Sequence, residues 1–278
     1  MTASAALGDP RDGVRLTPAA PEMRVSFADP ARHEAATAEA AAVLRREGVV
    51  VLDQLIDPAL LETCHREIEA RYPDHATPDP LRYLGSYPGR HTAPMVINGT
   101  LAEPQIFAHP VLRALDTALL GSEHVLESFG LLVSLTGSPD QGRHFDGLLF
   151  AETKLDMVLP PVALSIAIPL VPLGEVNGTT AFWRRSHREP FHAAPPDFAP
   201  QLPLGSALVW DFRTHHSGRG NLGDAPRPVL FAVHSRDWWM EPRAVSSSGY
   251  KKLLLAQAVQ DSFGRRLRAF TVRAEIVP

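Results

Sequence analysis

Three histidines in this sequence are each followed two residues later by an acidic residue, a spacing that can bind a metal ion. The pairs are His65/Glu67, His144/Asp146 and His187/Glu189. The first pair lies in a helical pattern, where residues two apart point about 200° away from each other, so it cannot share an ion. The third precedes Pro190 in a predicted loop, where no geometry favours it. Residues two apart on a strand face the same side, so only His144 and Asp146 are predicted to bind one metal.

A third ligand is expected from the neighbouring residues His215 and His216. Adjacent residues on a strand point to opposite faces, so only one of these two histidines can reach the ion. Two histidines and one carboxylate that leave other positions open are typical of non-haem Fe(II) oxygenases. A zinc hydrolase could use the same three side chains. From spacing alone both kinds of site stay open, as does a plain surface role for the two histidines.

The composition excludes several classes of protein. The chain has 278 residues, of which 45% are hydrophobic, and a single cysteine, Cys64. A chain of this length can bury a core without disulfides, and one cysteine excludes a multi-cysteine metal site. The net charge of −4 gives no electrostatic reason to expect nucleic acid or a membrane as a partner. The longest apolar stretch, 162–173, is too short to span a bilayer, and the first residues lack a signal-peptide pattern, so we expect a cytoplasmic protein.

The local patterns predict helices followed by many short strands. Helices are predicted at 32–47, from Asp57-Pro58 onward, at 109–120 and at 251–268, and strands at 49–52, 125–136, 143–150, 163–171, 179–183, 206–211, 215–218 and 228–234. So many short strands, with 26 prolines in the chain, favour a β-sandwich or barrel. Residues 1–30 are expected to be poorly ordered in part, and residues 31–278 to form one domain. The turn-rich segment 76–102 is a candidate lid.

Three blocks between residues 141 and 237 resemble the phytanoyl-CoA dioxygenase family of Fe(II)/2-oxoglutarate-dependent oxygenases. The first block, His144-Phe145-Asp146-Gly147, matches the family's His-x-Asp metal pair. The second block, 177–187, is similar to the family's Asn-Gly…Pro-Gly-Ser-His element, although Arg184-Arg185 replaces Pro-Gly. The third block, 205–227, resembles the family's Asp-x-Arg-x-x-His-x-Gly-x-x-Asn…Arg pattern.

The resemblance implies a fold and a metal. The fold would be mainly β with flanking α-helices, built on a double-stranded β-helix, the cupin-like jelly-roll core. Fe(II) would be bound by His144, Asp146 and His216, which leaves His215 as a neighbour.

The resemblance also implies the cosubstrates 2-oxoglutarate and O2. Arg227 would bind the distal carboxylate of 2-oxoglutarate, since a planar guanidinium forks onto a carboxylate. Thr180 and Gln141 are further candidates for binding this cosubstrate. Some members of the family carry a hydroxyl residue two positions after the distal histidine, where this chain has Gly218, and Ser217 would face the other side of the strand.

An oxidative activity on a small molecule is the function that the resemblance implies. Related oxygenases that halogenate carry a small residue in place of Asp146, so hydroxylation or another oxidation of a small secondary-metabolite intermediate, as in antibiotic biosynthesis, is expected. Desaturation, epoxidation, ring closure and epimerisation share the same iron core and stay open, as do a zinc hydrolase and a non-catalytic jelly-roll binding protein. The oligomeric state is not predicted. The residues predicted to contact the substrate are Tyr83, Arg90, Trp183 and Arg213.

Overall fold

The structure is a computed structural model that describes residues 21–77, 84–150, 154–190, 194–241 and 253–278. Tyr83 lies outside these residues. The helices are α1 His33–Glu47, α2 Pro58–Arg71, α3 Pro104–Phe107, α4 Pro110–Leu120, α5 Gln257–Ser262 and α6 Arg265–Phe270. The strands are β1 Arg24–Ser26, β2 Val49–Asp53, β3 Leu84–Tyr87, β4 Arg90–Pro94, β5 Val96–Ile97, β6 His124–Ser134, β7 Ala163–Pro169, β8 Thr180–Phe182, β9 Ala207–Asp211, β10 His216–Gly218, β11 Arg227–Arg236, β12 Leu254–Ala256 and β13 Glu275–Val277.

A large sheet of eight strands, in the order β1-β2-β9-β7-β11-β6-β4-β3, supports the rest of the fold. Its neighbouring strands are antiparallel except for β1 and β2. All five residues of β9 are buried, because α1 packs on one side of this part of the sheet and the aromatic ring of Phe182 packs on the other. Strands buried on both faces are apolar throughout, which explains the continuous hydrophobic runs in the sequence.

A small sheet of β8 and β10 faces the large sheet. Phe182 of β8 and His216 of β10 are paired across this small sheet, and their ring centroids lie 5.6 Å and 5.2 Å from that of Trp210 in β9. An isolated bridge between His144 and His216 adds the segment around His144 to the edge of the small sheet. The interior between the two sheets is therefore where the candidate metal ligands lie.

The ends of the first helices follow the signals in the sequence. Asp57 caps α2, since its Oδ1 accepts a hydrogen bond from the amide of Ala59 at 2.9 Å. Gly48 ends α1 with φ at +82°, a conformation that favours glycine, and a Cβ there would lie 2.6 Å from both His187 Nδ1 and Thr214 Oγ1. Within the described residues, no helix has the length and apolar character needed to cross a membrane.

Residues 21–30 add a strand to the large sheet. β1 pairs with β2, and the side chains of Met23, Val25 and Phe27 are buried. The burial of these apolar side chains orders the segment, whose strand β1 forms one edge of the large sheet. Residues 1–20 lie outside the described part of the chain.

The predicted strand at 143–150 is wrong, since this segment makes only the bridge at His144. The amides of Asp146 and Gly147 both donate to the carbonyl of Phe212, at 3.0 Å and 3.2 Å, which takes the chain out of the ladder. The long helix predicted at 251–268 is replaced, in its described part, by β12 and the short helices α5 and α6.

The candidate lid at 76–102 is largely part of the sheets. β4 pairs with β6 along its whole length, and β3 pairs with β4 at the edge of the large sheet. The side chains of Arg90 and His91 are buried, which does not fit a loop that opens and closes over a site. The prediction of a lid is therefore wrong for 90–94, because long-range pairing with β6 determines the structure of this segment.

We expect His109 to make the fold less stable at acidic pH. Burial lowers the pKa of this histidine to about 4, and its ring caps α4 by accepting from the amide of Val111 at 3.2 Å. Below its ordinary pKa of about 6.5 the unfolded chain binds a proton that the folded chain does not, so stability is lost as the pH falls toward 4. A His109→Asn variant keeps a capping side chain without titrating, so its free energy of unfolding should fall by about 2 kcal/mol less than that of the wild type between pH 7 and pH 4.5. Urea unfolding at both pH values measures this difference, and equal losses would contradict it.

Candidate metal centre

His144, Asp146 and His216 come together although they are distant in the sequence. One ligand atom from each residue lies within 4.8 Å of the other two. Reciprocal backbone hydrogen bonds join the two segments, from the His144 amide to the His216 carbonyl at 3.0 Å and back at 2.8 Å. Asp146 Oδ1 lies 3.6 Å from His216 Nε2, which is too long for a hydrogen bond and suits two ligands that share one ion.

Both imidazoles are oriented by backbone carbonyls. His144 Nδ1 lies 2.9 Å from the carbonyl oxygen of Gly142, and His216 Nδ1 lies 3.0 Å from that of Thr214. A carbonyl oxygen only accepts, so each Nδ1 carries the hydrogen and each Nε2 keeps a lone pair for a metal. Burial also lowers the pKa of His216, an effect that Asp146 partly opposes, which favours the neutral ring that a metal ligand requires.

The two carboxylate oxygens of Asp146 have different surroundings. Oδ2 accepts a hydrogen bond from Ser165 Oγ at 2.6 Å and another from Trp210 Nε1 at 3.0 Å. Oδ1 is the oxygen that faces His216. The group therefore offers two imidazole nitrogens and one carboxylate oxygen, a donor set that fits Fe(II) with positions left open.

His215 lies apart from this group. The edge of its ring contacts Phe145, with the ring centroids 5.2 Å apart. Burial, followed by the nearby Arg143, lowers its pKa to about 4. The structure thus places His216 rather than its neighbour among the three converging side chains.

A buried arginine, Arg227, begins β11 beside the last residue of β6, Ser134. Its Nη2 donates to Ser134 Oγ at 2.8 Å, and its Nη1 donates to the carbonyls of Asn177 and Arg219 at 2.7 Å and 3.0 Å. Its Nε is buried and has no hydrogen-bond partner among the described residues. This donor is aimed at no protein acceptor, as expected for a group that binds a ligand.

Arg90 lies beside Arg227. Its Nε donates to the same Ser134 hydroxyl at 2.9 Å, and it also contacts the Arg219 carbonyl. Burial, followed by the proximity of Arg90, lowers the pKa of Arg227 to about 9, so Arg227 is still charged at neutral pH. Two buried cations that share one serine would be stabilised by an anion such as the distal carboxylate of 2-oxoglutarate. Sequence reasoning placed Arg90 in a substrate loop, and no local signal pointed to its neighbour on a distant strand.

Gln141 and Thr180 both lie next to Gly218 of β10. Gln141 Oε1 accepts the amide hydrogen of Gly218 at 3.0 Å, and a Cβ at Gly218 would collide with that oxygen. Thr180 is the cross-strand partner of Gly218, so it shares the face that also carries His216. Both residues therefore lie on the face between the metal ligands and the arginine pair. Ser217 faces the other side, as predicted, and donates to the Gln141 carbonyl.

Arg213 has a structural role in place of the predicted substrate contact. It is buried and paired with Asp211, whose carboxylate accepts from its Nε at 2.8 Å and its Nη2 at 2.6 Å. Its Nη1 donates to the carbonyls of Asp156 and Leu159 and so anchors the loop that follows Asp146. These bonds use the guanidinium fork that a substrate would need.

The side chain of Trp183 packs on the opposite side of β8 from Phe182. The guanidinium of Arg143 lies 4.6 Å from the centroid of its ring, and its indole N–H donates to the carbonyl of Ala194 at 2.6 Å. Trp183 directly follows β8 and its amide donates to the carbonyl of His215 at 3.0 Å, so the alternation of the strand continues and Trp183 points away from the face that carries His216. This placement does not match the substrate contact predicted from the sequence.

The arginines that replace the family's Pro-Gly bind a buried acid. Arg184 Nε lies 2.9 Å and Arg185 Nε lies 3.4 Å from Oε2 of Glu47, the last residue of α1. Burial alone would raise the pKa of Glu47, but hydrogen bonds from Arg46 and Arg184 lower it below its ordinary value. Arg185 also adopts a positive φ of 61°, the conformation that glycine would take at this position without strain.

Comparison with known proteins gives a family and a fold. The sequence profile of the phytanoyl-CoA dioxygenase (PhyH) family matches residues 44–229, which is more than half of the chain. The dioxygenase trt7 of Aspergillus terreus (strain NIH 2624 / FGSC A1156) is 26% identical over 215 residues, which cover 71% of this chain and 75% of the relative.

Solved structures share the fold at lower identity. The epimerase SnoN in complex with Fe3+, alpha ketoglutarate and nogalamycin RO has a TM-score of 0.55 and 21% identity, covering 81% of this chain and 94% of SnoN. HygX from Streptomyces hygroscopicus, with nickel and 2-oxoglutarate bound, has a TM-score of 0.57 and 13% identity, covering 72% of this chain and 87% of HygX. These likenesses confirm the predicted cupin-like jelly-roll core.

Replacing Arg213 should destabilise the fold strongly. An Arg213→Met variant leaves Asp211 buried without its cation, and breaking a buried pair costs about 3–5 kcal/mol. Urea unfolding followed by circular dichroism measures the change, with Arg266→Met at an exposed position of α6 as the matched control. A wild-type unfolding midpoint for Arg213→Met would contradict the structural role.

Proposed function

The chain belongs to the phytanoyl-CoA dioxygenase family, and on that premise we propose that it hydroxylates or otherwise oxidises a small secondary-metabolite intermediate. As a member of this family it is an Fe(II)- and 2-oxoglutarate-dependent dioxygenase that also uses O2. The observation that carries the proposal is the convergence of His144, Asp146 and His216 within 4.8 Å.

In this proposal the three converging residues bind Fe(II). The Nδ1 hydrogen bonds of His144 and His216 hold each ring so that its Nε2 faces the ion. The carboxylate of Asp146 neutralises one of the two positive charges of the ion. Three protein ligands leave positions for the 2-oxo acid and for O2. When bound, the iron and 2-oxoglutarate would activate O2 for oxidation of the substrate, with succinate and CO2 as coproducts.

Arg227 is the proposed partner of the distal carboxylate of 2-oxoglutarate, and Arg90 supports it. Both guanidinium groups are buried, so an anion between them is screened little by water. Gly218 leaves room along β10 for the side chain of Gln141. Gln141 and Thr180 are proposed to contact the cosubstrate from the same face.

The class of substrate is proposed from the relatives. Structures of SnoN and HygX were solved with nogalamycin RO and with hygromycin B, which are small molecules. SnoN is an epimerase, so epimerisation is a second outcome for the same iron core in this chain. Asp146 supplies a carboxylate ligand where a halogenase needs an open position, and this favours oxidation over halogenation.

We expect the purified protein to consume 2-oxoglutarate and O2 when Fe(II) is added, and to show a visible charge-transfer band when Fe(II) and 2-oxoglutarate are mixed without O2. A His216→Ala variant removes one nitrogen ligand, so the band and the turnover should both be lost. Anaerobic titration followed by visible absorption, with an oxygen electrode, measures both signals.

The adjacent histidine gives a matched control. His215→Ala removes the same side chain from the other face of the strand and should leave the charge-transfer band in place. A zinc hydrolase would work without O2, and a binding protein would consume no 2-oxoglutarate. Either result, or full turnover in His216→Ala, would contradict the proposal.

The role of Arg227 is tested by the affinity for the cosubstrate. An Arg227→Met variant loses the charge-assisted hydrogen bonds to the distal carboxylate, so the concentration of 2-oxoglutarate that half-saturates the band should rise at least tenfold, roughly one lost charged hydrogen bond. Arg236→Met, on the same strand, removes an arginine whose side chain donates to the carbonyls of Pro161 and Leu119, and this variant should keep the wild-type value. If 2-oxoglutarate half-saturated both variants at the same concentration, the proposed role of Arg227 in binding it would be contradicted.

A further inference from the structure

We propose that Ser165 and Trp210 are positioning residues that hold one oxygen of Asp146 away from the ion, so that this carboxylate binds metal through Oδ1 alone. The inference rests on the proposed iron site and adds two residues to it. Ser165 lies outside the three sequence blocks that resemble the family, and Trp210 lies within the third block but at none of its matched positions.

The hydrogen bonds on Oδ2 come from two different strands of the large sheet. Ser165 in β7 donates at 2.6 Å and Trp210 in β9 donates at 3.0 Å. These two residues are direct cross-strand partners, so their side chains project from the same face toward the small sheet. The carboxylate of Asp146 thus receives both donors on the same oxygen.

Both donors are rigidly placed. Ser165 is 4% exposed and Trp210 is 8% exposed, so water competes little for the carboxylate. An indole N–H donates and cannot accept, so the direction of the hydrogen bond from Trp210 to Asp146 is fixed. The serine hydroxyl can rotate, but the short distance to Oδ2 shows that it points at the carboxylate.

Trp210 also supports a second ligand. Its ring centroid lies 5.2 Å from that of His216, at an angle of 58° between the ring planes. Phe182 packs against both rings, with centroids 5.6 Å from Trp210 and 5.9 Å from His216. One indole therefore fixes the carboxylate by a hydrogen bond and one imidazole by packing.

The number of coordination positions that Asp146 occupies on the ion decides how many remain for other ligands. A carboxylate that turned both oxygens to the ion would occupy a position that the 2-oxo acid or O2 requires. Two donors on Oδ2 oppose that rotation, since it would leave the indole N–H and the hydroxyl buried without an acceptor. Groups that hold a metal ligand in this way typically change metal affinity by roughly 10–100-fold when they are removed.

A pair of variants with the same shape isolates the hydroxyl group. Ser165→Thr keeps the hydroxyl and Ser165→Val replaces it with a methyl group, and both side chains suit a strand. Mn(II) binding, followed by loss of the free-ion EPR signal, should be at least tenfold weaker in Ser165→Val than in Ser165→Thr. The charge-transfer band of the anaerobic Fe(II)/2-oxoglutarate mixture should also shift in Ser165→Val and stay at the wild-type position in Ser165→Thr.

A second variant tests the same inference at the other donor. Trp210→Phe keeps an aromatic ring against His216 but removes the N–H, so Mn(II) affinity and the band should change in the same direction. Trp239→Phe is the matched control, because Trp239 is also buried but packs against Phe212. Ser206→Val is the control for the serine, since Ser206 donates to the carboxylate of Asp53 at 3.1 Å, outside the candidate site.

The two proposals fail in different ways. If the wild type bound neither Mn(II) nor Fe(II) with 2-oxoglutarate, the proposed function would fail, and this inference with it. If the wild type bound both, and Ser165→Val and Trp210→Phe matched the wild type in affinity and in band position, only the positioning role would be overturned. Circular dichroism confirms that each variant compared is folded.

Discussion

The carboxylate of Asp146 belongs to a loop, but the two donors that hold it face each other on neighbouring strands of the large sheet. Ser165 and Trp210 are paired in the register of β7 and β9. A slip of one residue in that register would turn one of the two side chains to the opposite face and leave the carboxylate with a single donor. The geometry of the candidate metal centre therefore depends on the pairing of the two strands beneath it. The apolar burial along β7 and β9 fixes that pairing, so the core and the site are specified together.

The charges of Arg90 and Arg227 are stabilised differently from the other buried charges. The buried Arg213 has the carboxylate of Asp211 as a partner, and the buried Glu47 has several arginines. Arg227 instead donates to a hydroxyl and two carbonyls, which solvate a cation without neutralising it. A buried charge of this kind is costly in the empty protein, and an incoming dianion relieves that cost. If Arg227 binds 2-oxoglutarate as proposed, the same two guanidinium groups would set both the affinity for this cosubstrate and the stability of the free protein.

The parts of the site that the sequence could reveal are those that depend on local periodicity or on a family motif. Residue spacing pairs His144 with Asp146, although the segment forms a single bridge and not the predicted strand. The spacing still worked, because one extended residue on each side of Phe145 is enough to put both side chains on one face. The position of Arg90 beside Arg227 could not be predicted, since it depends on β4 pairing with β6 across a long sequence separation. The bonds from Arg213 to the carbonyls of Asp156 and Leu159 could not be predicted for the same reason, although its ion-pair partner Asp211 lies only two residues away.

Gly48 connects the end of the first helix to the metal ligands through two contacts. Its carbonyl accepts from Thr214 Oγ1 at 2.8 Å, and the carbonyl of Thr214 in turn orients His216. The space where its side chain would stand is filled by His187 and Thr214. Gly48, His187 and Thr214 therefore share one space, and a larger side chain at one of these positions requires a smaller one at another. Homologues that carry a larger residue at the helix end should show a smaller one at the position of His187 or Thr214, so the metal centre leaves a trace of covariation well outside its own ligands.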